Sequence, residues 1–264
     1  MKYLLLLISI LLIPLNAYAF VAQGYYSTQG SGSSQSMGST SLFVSWEGTW
    51  SDPTYTLDSN DFSLGDTTGT ESGTLDVNTD SEYIGSYGLE TAGAYDYIIF
   101  DPTTIVNNEE GSFSFWMRFN GSGLPSNYDS FLILREDSNN YMRCMIYDTN
   151  EISLQWVEGG ANVSRATTDA ANLVVGTWYF VTGSYVAPGL GGSNVTLEIA
   201  VYNTSISLID SATDGPDSAS GITVAYIWHG MYGSYADDCN FDNLDISTES
   251  SDDHTVWAEE ATYP

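Results

Sequence analysis

The chain has 264 residues with 34 acidic against five basic side chains, a formal net charge of −29 at neutral pH. So negative a surface opposes binding to nucleic acid, to anionic membranes and to polyanionic glycans of the heparin kind. Its carboxylates are either a solvated surface or ligands for a divalent cation, calcium first because it takes oxygen ligands.

The first 19 residues carry Lys2, an apolar run from Leu4 to Leu15 and the small-residue pattern Ala17-Tyr18-Ala19. This is the pattern of a signal peptide cut near Ala19. The run is well short of the roughly 20 residues that span a bilayer, so no membrane insertion is expected and the protein is read as exported. Removal of this segment takes the only lysine and leaves Arg118, Arg135, Arg143 and Arg165. Residues 20–40, rich in Gly, Ser and Gln, read as a flexible segment. Residues 41–247 read as one β domain and 248–264 as an acidic tail, or a short docking segment around Val256-Trp257.

No segment after the signal sustains a 3.6-residue period, so an all-β protein is expected. Leu42–Trp50 (LFVSWEGTW) reads as a first strand, on which Trp46 and Trp50 share a face if it is continuous. Short strands follow between polar loops to Glu82, then stronger candidates at Tyr83–Thr91 and Tyr95–Phe100. In Gly111–Phe119 (GSFSFWMRF), Phe113, Phe115, Met117 and Phe119 alternate with Ser112, Ser114 and Arg118, the period of a half-buried strand. Trp116 interrupts the polar face, so a loop roofs that face or an indole stands open on it. Phe131–Arg135, Asn140–Tyr147 and Ile152–Val157 predict a three-strand meander. Gly159–Asn172 reads as a loop, Leu173–Val186 and Val195–Tyr202 as strands, Ile206–Ile209 as a short strand and Asp214–Gly221 as a loop. Ile222–His229 and Cys239–Ile246 close the set, and about a dozen strands without intervening helices predict a two-sheet sandwich.

Four pieces in order, Tyr97–Phe100 followed after a ten-residue turn by GSFSFWMRF, the hairpin FLILREDSNNYMRCMIY, GTWYFVTGSYV and FDNLDI, resemble the strands of LamG-like domains in the concanavalin A-like lectin/glucanase superfamily. The resemblance covers Tyr83 to Ser247. It implies an all-β, two-sheet antiparallel jelly-roll sandwich that meets ligands on its concave face or at calcium-bearing rim loops. Such domains usually serve binding and adhesion, and some relatives cleave polysaccharides, so the fold alone does not choose a function.

Catalysis by two carboxylates finds no E-x-D-x-(x)-E run, and His229 and His254 are the only histidines. His229 reads as a structural residue at a strand end and His254 lies in the tail, so no enzyme is expected. A ligand face would need aromatic rings that stack on sugar without charge. The candidates are Trp46, Trp50, Trp156, Tyr226, Trp228 and Tyr232, each also open to a packing role. Asp237, Asp238, Asn240 and Asp242 form the densest oxygen cluster beside a strand and are the candidate calcium ligands, unless Asp242 only caps the final turn or faces water. Cys144 and Cys239 are either a disulfide, as an exported chain favours, or two buried thiols in separate strands. The expected partner is a neutral glycan or a surface protein; the alternative is a structural component of the cell surface.

Overall fold

The computed structural model describes residues 40–257 except 58–60, 65–67, 102–104, 122, 125–127, 148, 170–171, 190–191, 234–238 and 253. These fall within one compact unit, Met37–Pro264. The expected signal peptide and most of the segment 20–40 lie outside the described residues, as do residues 258–264. No described helix is long and apolar enough to cross a membrane.

The strands in chain order are β1 (Thr40–Val44), β2 (Thr49–Ser51), β3 (Thr54–Thr56), β4 (Phe62–Ser63), β5 (Thr68–Ser72), β6 (Leu75–Asn78), β7 (Gly88–Thr91), β8 (Tyr97–Phe100) and β9 (Glu110–Phe119). They continue as β10 (Asp129–Arg135), β11 (Tyr141–Ile146), β12 (Ile152–Glu158), β13 (Ala161–Thr167), β14 (Tyr179–Val186), β15 (Asn194–Tyr202), β16 (Leu208–Ser218), β17 (Tyr226–Tyr232) and β18 (Cys239–Ser247), with a 3-10 turn at His254–Trp257. Sheet A runs β16-β15-β14-β9-β18-β1-β4, with β7 also on β18 and β6 on β7. Sheet B runs β13-β12-β11-β10-β17-β8-β5-β3-β2. Neighbours are antiparallel, and the whole is a two-sheet antiparallel jelly-roll sandwich.

The alternation in β9 sends Phe113, Phe115, Met117 and Phe119 into the layer between the sheets, where all four are buried. They share it with Phe131, Leu132 and Leu134 of β10 and with Met142 and Leu154 of the meander. Burying each such ring or chain stabilises the sandwich by about 1.5–3 kcal/mol, which is why the pattern holds its register. His229 also points into this layer, between Phe115 and Phe241 at ring-centre distances of 5.2 and 4.9 Å. Burial drives its pKa down to about 3, so the ring is neutral near pH 7. It is a mid-strand core residue, not one at a strand end.

Several expectations are corrected. Leu42–Trp50 is not one strand: β1 belongs to sheet A and β2 to sheet B, and the chain turns between them. Trp46 takes a left-handed backbone, φ 64°, and stacks in the core on His229. Only Gly88–Thr91 of the segment Tyr83–Thr91 is strand. The expected loops Gly159–Asn172 and Asp214–Gly221 contain β13 and the C-terminal part of β16, edge strands of sheets B and A. Their polar residues hid them, because an edge strand over a narrow core strip needs few apolar side chains. The Asp214 carboxylate of β16 crosses to β13, accepting from the Arg165 amide at 2.6 Å and the Ser164 hydroxyl at 3.0 Å. Close by, Asp210 accepts from the Asp169 amide at 2.7 Å. Cys144 and Cys239 are not bridged: they are buried thiols, one in each sheet, and burial pushes the Cys144 thiol far above its ordinary value.

Candidate functional site

The outer face of sheet B is set by the alternate residues of the meander. In β17, Ile227, His229 and Met231 are buried inward, so Tyr226, Trp228 and Tyr232 face outward. In β10 and β11 the same rule brings Ile133 and Arg135 beside Tyr141 and Arg143, with Ile133 opposite both Arg143 and Trp228. Trp228 lies between neighbours on both flanking strands: the Tyr97 ring of β8 stacks on it at 4.6 Å and 19°, and the Arg135 guanidinium lies 4.3 Å from its ring centre. Tyr232 tilts against the same indole at 5.1 Å, and Tyr95 meets Tyr232 edge-on at 5.2 Å.

The arginines are held by neutral groups. Arg143 donates through Nε and Nη2 to Gln155 Oε1 at 3.0 and 2.9 Å, and its guanidinium lies 5.4 Å from the Tyr141 ring. The Gln155 amide donates in turn to the Tyr147 hydroxyl, which also accepts from Arg165 Nη1 at 2.8 Å. Arg135 donates Nε to the Asp137 carbonyl at 3.0 Å. Ile133, Arg135, Ser138, Tyr141, Arg143, Trp228 and Tyr232 enclose a depression of about 130 Å³. The Trp228 indole N–H is buried there without a hydrogen-bond partner among the described residues.

Of the six aromatic residues proposed from sequence, the fold thus brings together Tyr226, Trp228 and Tyr232. Trp46 and Trp156 are corrected to core residues, 0% and 1% exposed, and Trp156 donates its N–H to Glu158 at 2.8 Å. Trp50 is half-buried against the core edge on β2. Sequence reasoning missed Arg135, Tyr141, Arg143 and Tyr97. The signal was present: Arg135 and Arg143 occupy polar positions of strands joined by one tight hairpin, which puts them on one face.

The proposed cation ligands have other partners. Asn240 accepts from Arg118 Nη2 at 3.1 Å and donates to Ser81. Asp242 accepts the amides of Tyr83, Ile84 and Asn243, each at 2.8 Å. Burial raises the Asp242 pKa well above the usual carboxylate range despite these donors. It therefore neither faces water nor presents an open oxygen. Asp237 and Asp238 lie outside the described residues, and no cluster of three or more acidic, His or Cys side chains fit for a metal occurs among those described.

The outer face of sheet A differs. Trp116 is buried in a cluster with Trp178 and Phe180, roofed by Tyr83, whose ring centre is 3.9 Å away. Beside this roof the C-terminal segment docks on the sheet: His254 Nδ1 is 2.7 Å from Asp245 Oδ2, and Ser250 bonds Glu110. A cleft of about 290 Å³ opens there, walled by Thr182, Ser184, Glu198, Asp252 and His254. An Asp-oriented histidine can act as a base for a nucleophile within hydrogen-bond reach. The His254 Nε2 atom has no such partner among the described residues, so the pair is seen only as a docking contact.

No protein-family model matches the chain, and no curated protein matches it. Among solved structures, the receptor binding domain of botulinum neurotoxin mosaic serotype C/D is similar at TM-score 0.56 and 14% identity over 83% of this chain. The botulinum neurotoxin serotype D binding domain follows at 0.54 and 13% over 83%. The chain spans about half the length of these domains, 50% and 51%. Domain 4 of AbnA, a GH43 extracellular arabinanase from Geobacillus stearothermophilus in complex with arabinotriose, is similar at 0.50 and 16% identity over 80% of this chain and 94% of that domain. At such identities the likeness defines the β-sandwich jelly-roll fold.

Proposed function

We propose that the mature chain is an exported, non-catalytic binding module of the LamG-like kind, which holds a glycan of its surroundings on the outer face of sheet B. The observation that carries this reading is the open aromatic surface built by Tyr97 of β8, Tyr226, Trp228 and Tyr232 of β17, and Tyr95 in the turn before β8. Tyr95 and Tyr226 are about half exposed, at 54% and 50%, so their rings are available to the apolar face of a sugar. A sandwich of similar extent, the arabinanase domain, was solved with arabinotriose, which makes such a framework compatible with a glycan ligand. Both faces of the Trp228 indole are already engaged, so it organises the surface and the tyrosines make the contact.

The test is titration calorimetry against a polysaccharide panel with the wild type and the double variant Tyr226→Ala/Tyr232→Ala. The expected result is saturable binding that the double variant loses while its circular dichroism is unchanged. Concentration-dependent polymerisation without glycan binding would instead support the structural-component reading.

A further inference from the structure

We infer that the depression on the outer face of sheet B is a receptor for a single carboxylate, so that the glycan recognised there carries uronic acid. This inference rests on the glycan-binding reading above and goes beyond it in naming the charged group.

The first ground is where the cations are. Once the N-terminal segment with Lys2 is gone, four arginines face 34 acidic residues, and three of the four, Arg135, Arg143 and Arg165, lie on this one face. With acids in such excess, every surface arginine has an abundance of anionic partners to choose from. None of these three forms an ion pair among the described residues, where the single pair found is His254 with Asp245. The nearby Asp137 carboxylate is turned into its own loop, accepting from the Asn139 and Asn140 amides at 2.7 and 2.9 Å.

The second ground is how they are held. Gln155, Tyr147 and the aromatic rings fix the guanidinium planes with neutral groups, which orients the positive charge without cancelling it. Among the described residues, Arg143 keeps both Nη1 hydrogens and one on Nη2 for a ligand, and Arg135 keeps all four on its Nη atoms. Two preset forks, with the unpartnered Trp228 N–H beside them, offer more donors than the chain itself uses. The space of about 130 Å³ suits a carboxylate and the edge of the ring that bears it.

The third ground is the field beyond the site. At physiological salt charges are screened over about 8 Å, so the local patch governs contact while the negative remainder repels dense polyanions. A chain with isolated carboxylates among neutral sugars satisfies both conditions. The reading of the whole-chain charge as favouring neutral glycans is thereby narrowed: the net charge limits charge density on the ligand, and the patch selects its single acid.

The experiment is calorimetry of the full mature chain with a panel of uronate oligosaccharides, each paired with its carboxyl-reduced form. At least tenfold tighter binding of the acidic member is expected, with Arg143→Gln and Arg143→Lys each bringing the ratio near one, Lys because it keeps the charge but loses the fork. Equal binding of both members overturns the carboxylate site while leaving glycan binding standing. Tighter binding of a sulfated counterpart overturns the assignment of the acid, and absence of binding to every member overturns the glycan reading together with this one. Circular dichroism and the thermal midpoint of each variant separate lost recognition from lost fold.

Discussion

The two outer faces of the sandwich use the same side chains for opposite ends. On sheet A, Trp116, Trp178 and Phe180 are covered by the segment at Tyr83–Ile84, and Arg118 lies 4.9 Å from the Trp178 ring with Asn240 and the Asp80 carbonyl as partners. Burial lowers the Arg118 pKa from its ordinary value, against the pull of Glu90. On sheet B, a tryptophan with an arginine over it stands at the floor of an open depression. An indole and a guanidinium thus do not by themselves mark a site. What distinguishes the faces is a roof, and Asp242 ties it down by accepting the amides of Tyr83 and Ile84, with Glu47 accepting that of Tyr87 just beyond.

The contrast can be broken most severely from sheet A. Trp116→Ala removes a fully buried indole from under its cover and should cost about 3–5 kcal/mol, read as a lowered urea midpoint. Asp242→Ala leaves the amides of Tyr83 and Ile84 without their acceptor and should cost about 1–3 kcal/mol, with amide exchange at those two residues accelerated first. If exchange there stays slow, the carboxylate is not what holds the roof.

Between the faces lies His229. Its pKa is near 3 folded against 6.5 unfolded, so between those values the unfolded chain binds a proton that the folded chain does not. Its contribution is therefore intact above about pH 6.5 and lost as pH falls toward 3, at up to about 1.4 kcal/mol per pH unit. His229→Phe should gain on the wild type by that slope between pH 6 and 4 in parallel urea titrations; parallel curves would show that the ring is not buried neutral. The smallest effect belongs to sheet B. Tyr226→Ala should change stability by no more than about 0.5 kcal/mol while weakening glycan binding, the reverse of Trp116→Ala.

Strict alternation made much of the fold legible. GSFSFWMRF placed Phe113, Phe115 and Met117 in the core and Trp116 on the far side, and the meander followed from its short polar turns. Alternation could not say whether a loop returns to cover Trp116, because the donors to Asp242 come from residues about 158 positions away. Nor did it reveal β13 and β16, whose position at the sheet edges relaxes the demand for apolar side chains. In the candidate site, weighing aromatics singly brought together Tyr226, Trp228 and Tyr232 but also admitted Trp46 and Trp156, which only packing separates from the surface. The arginines went unnoticed because total charge was read before the distribution of charge over faces.

The carboxylates that reach from β16 to β13 bear on how this protein behaves in a crowd. An edge strand normally displays backbone donors to which any passing extended chain can add. Here the amide of Arg165 and that of Asp169 just beyond the strand are taken by Asp214 and Asp210 of the opposite sheet, which also sets two negative charges along the seam. Two donors on that side are thereby withheld from any added strand, and the join between the two sheets is what withholds them.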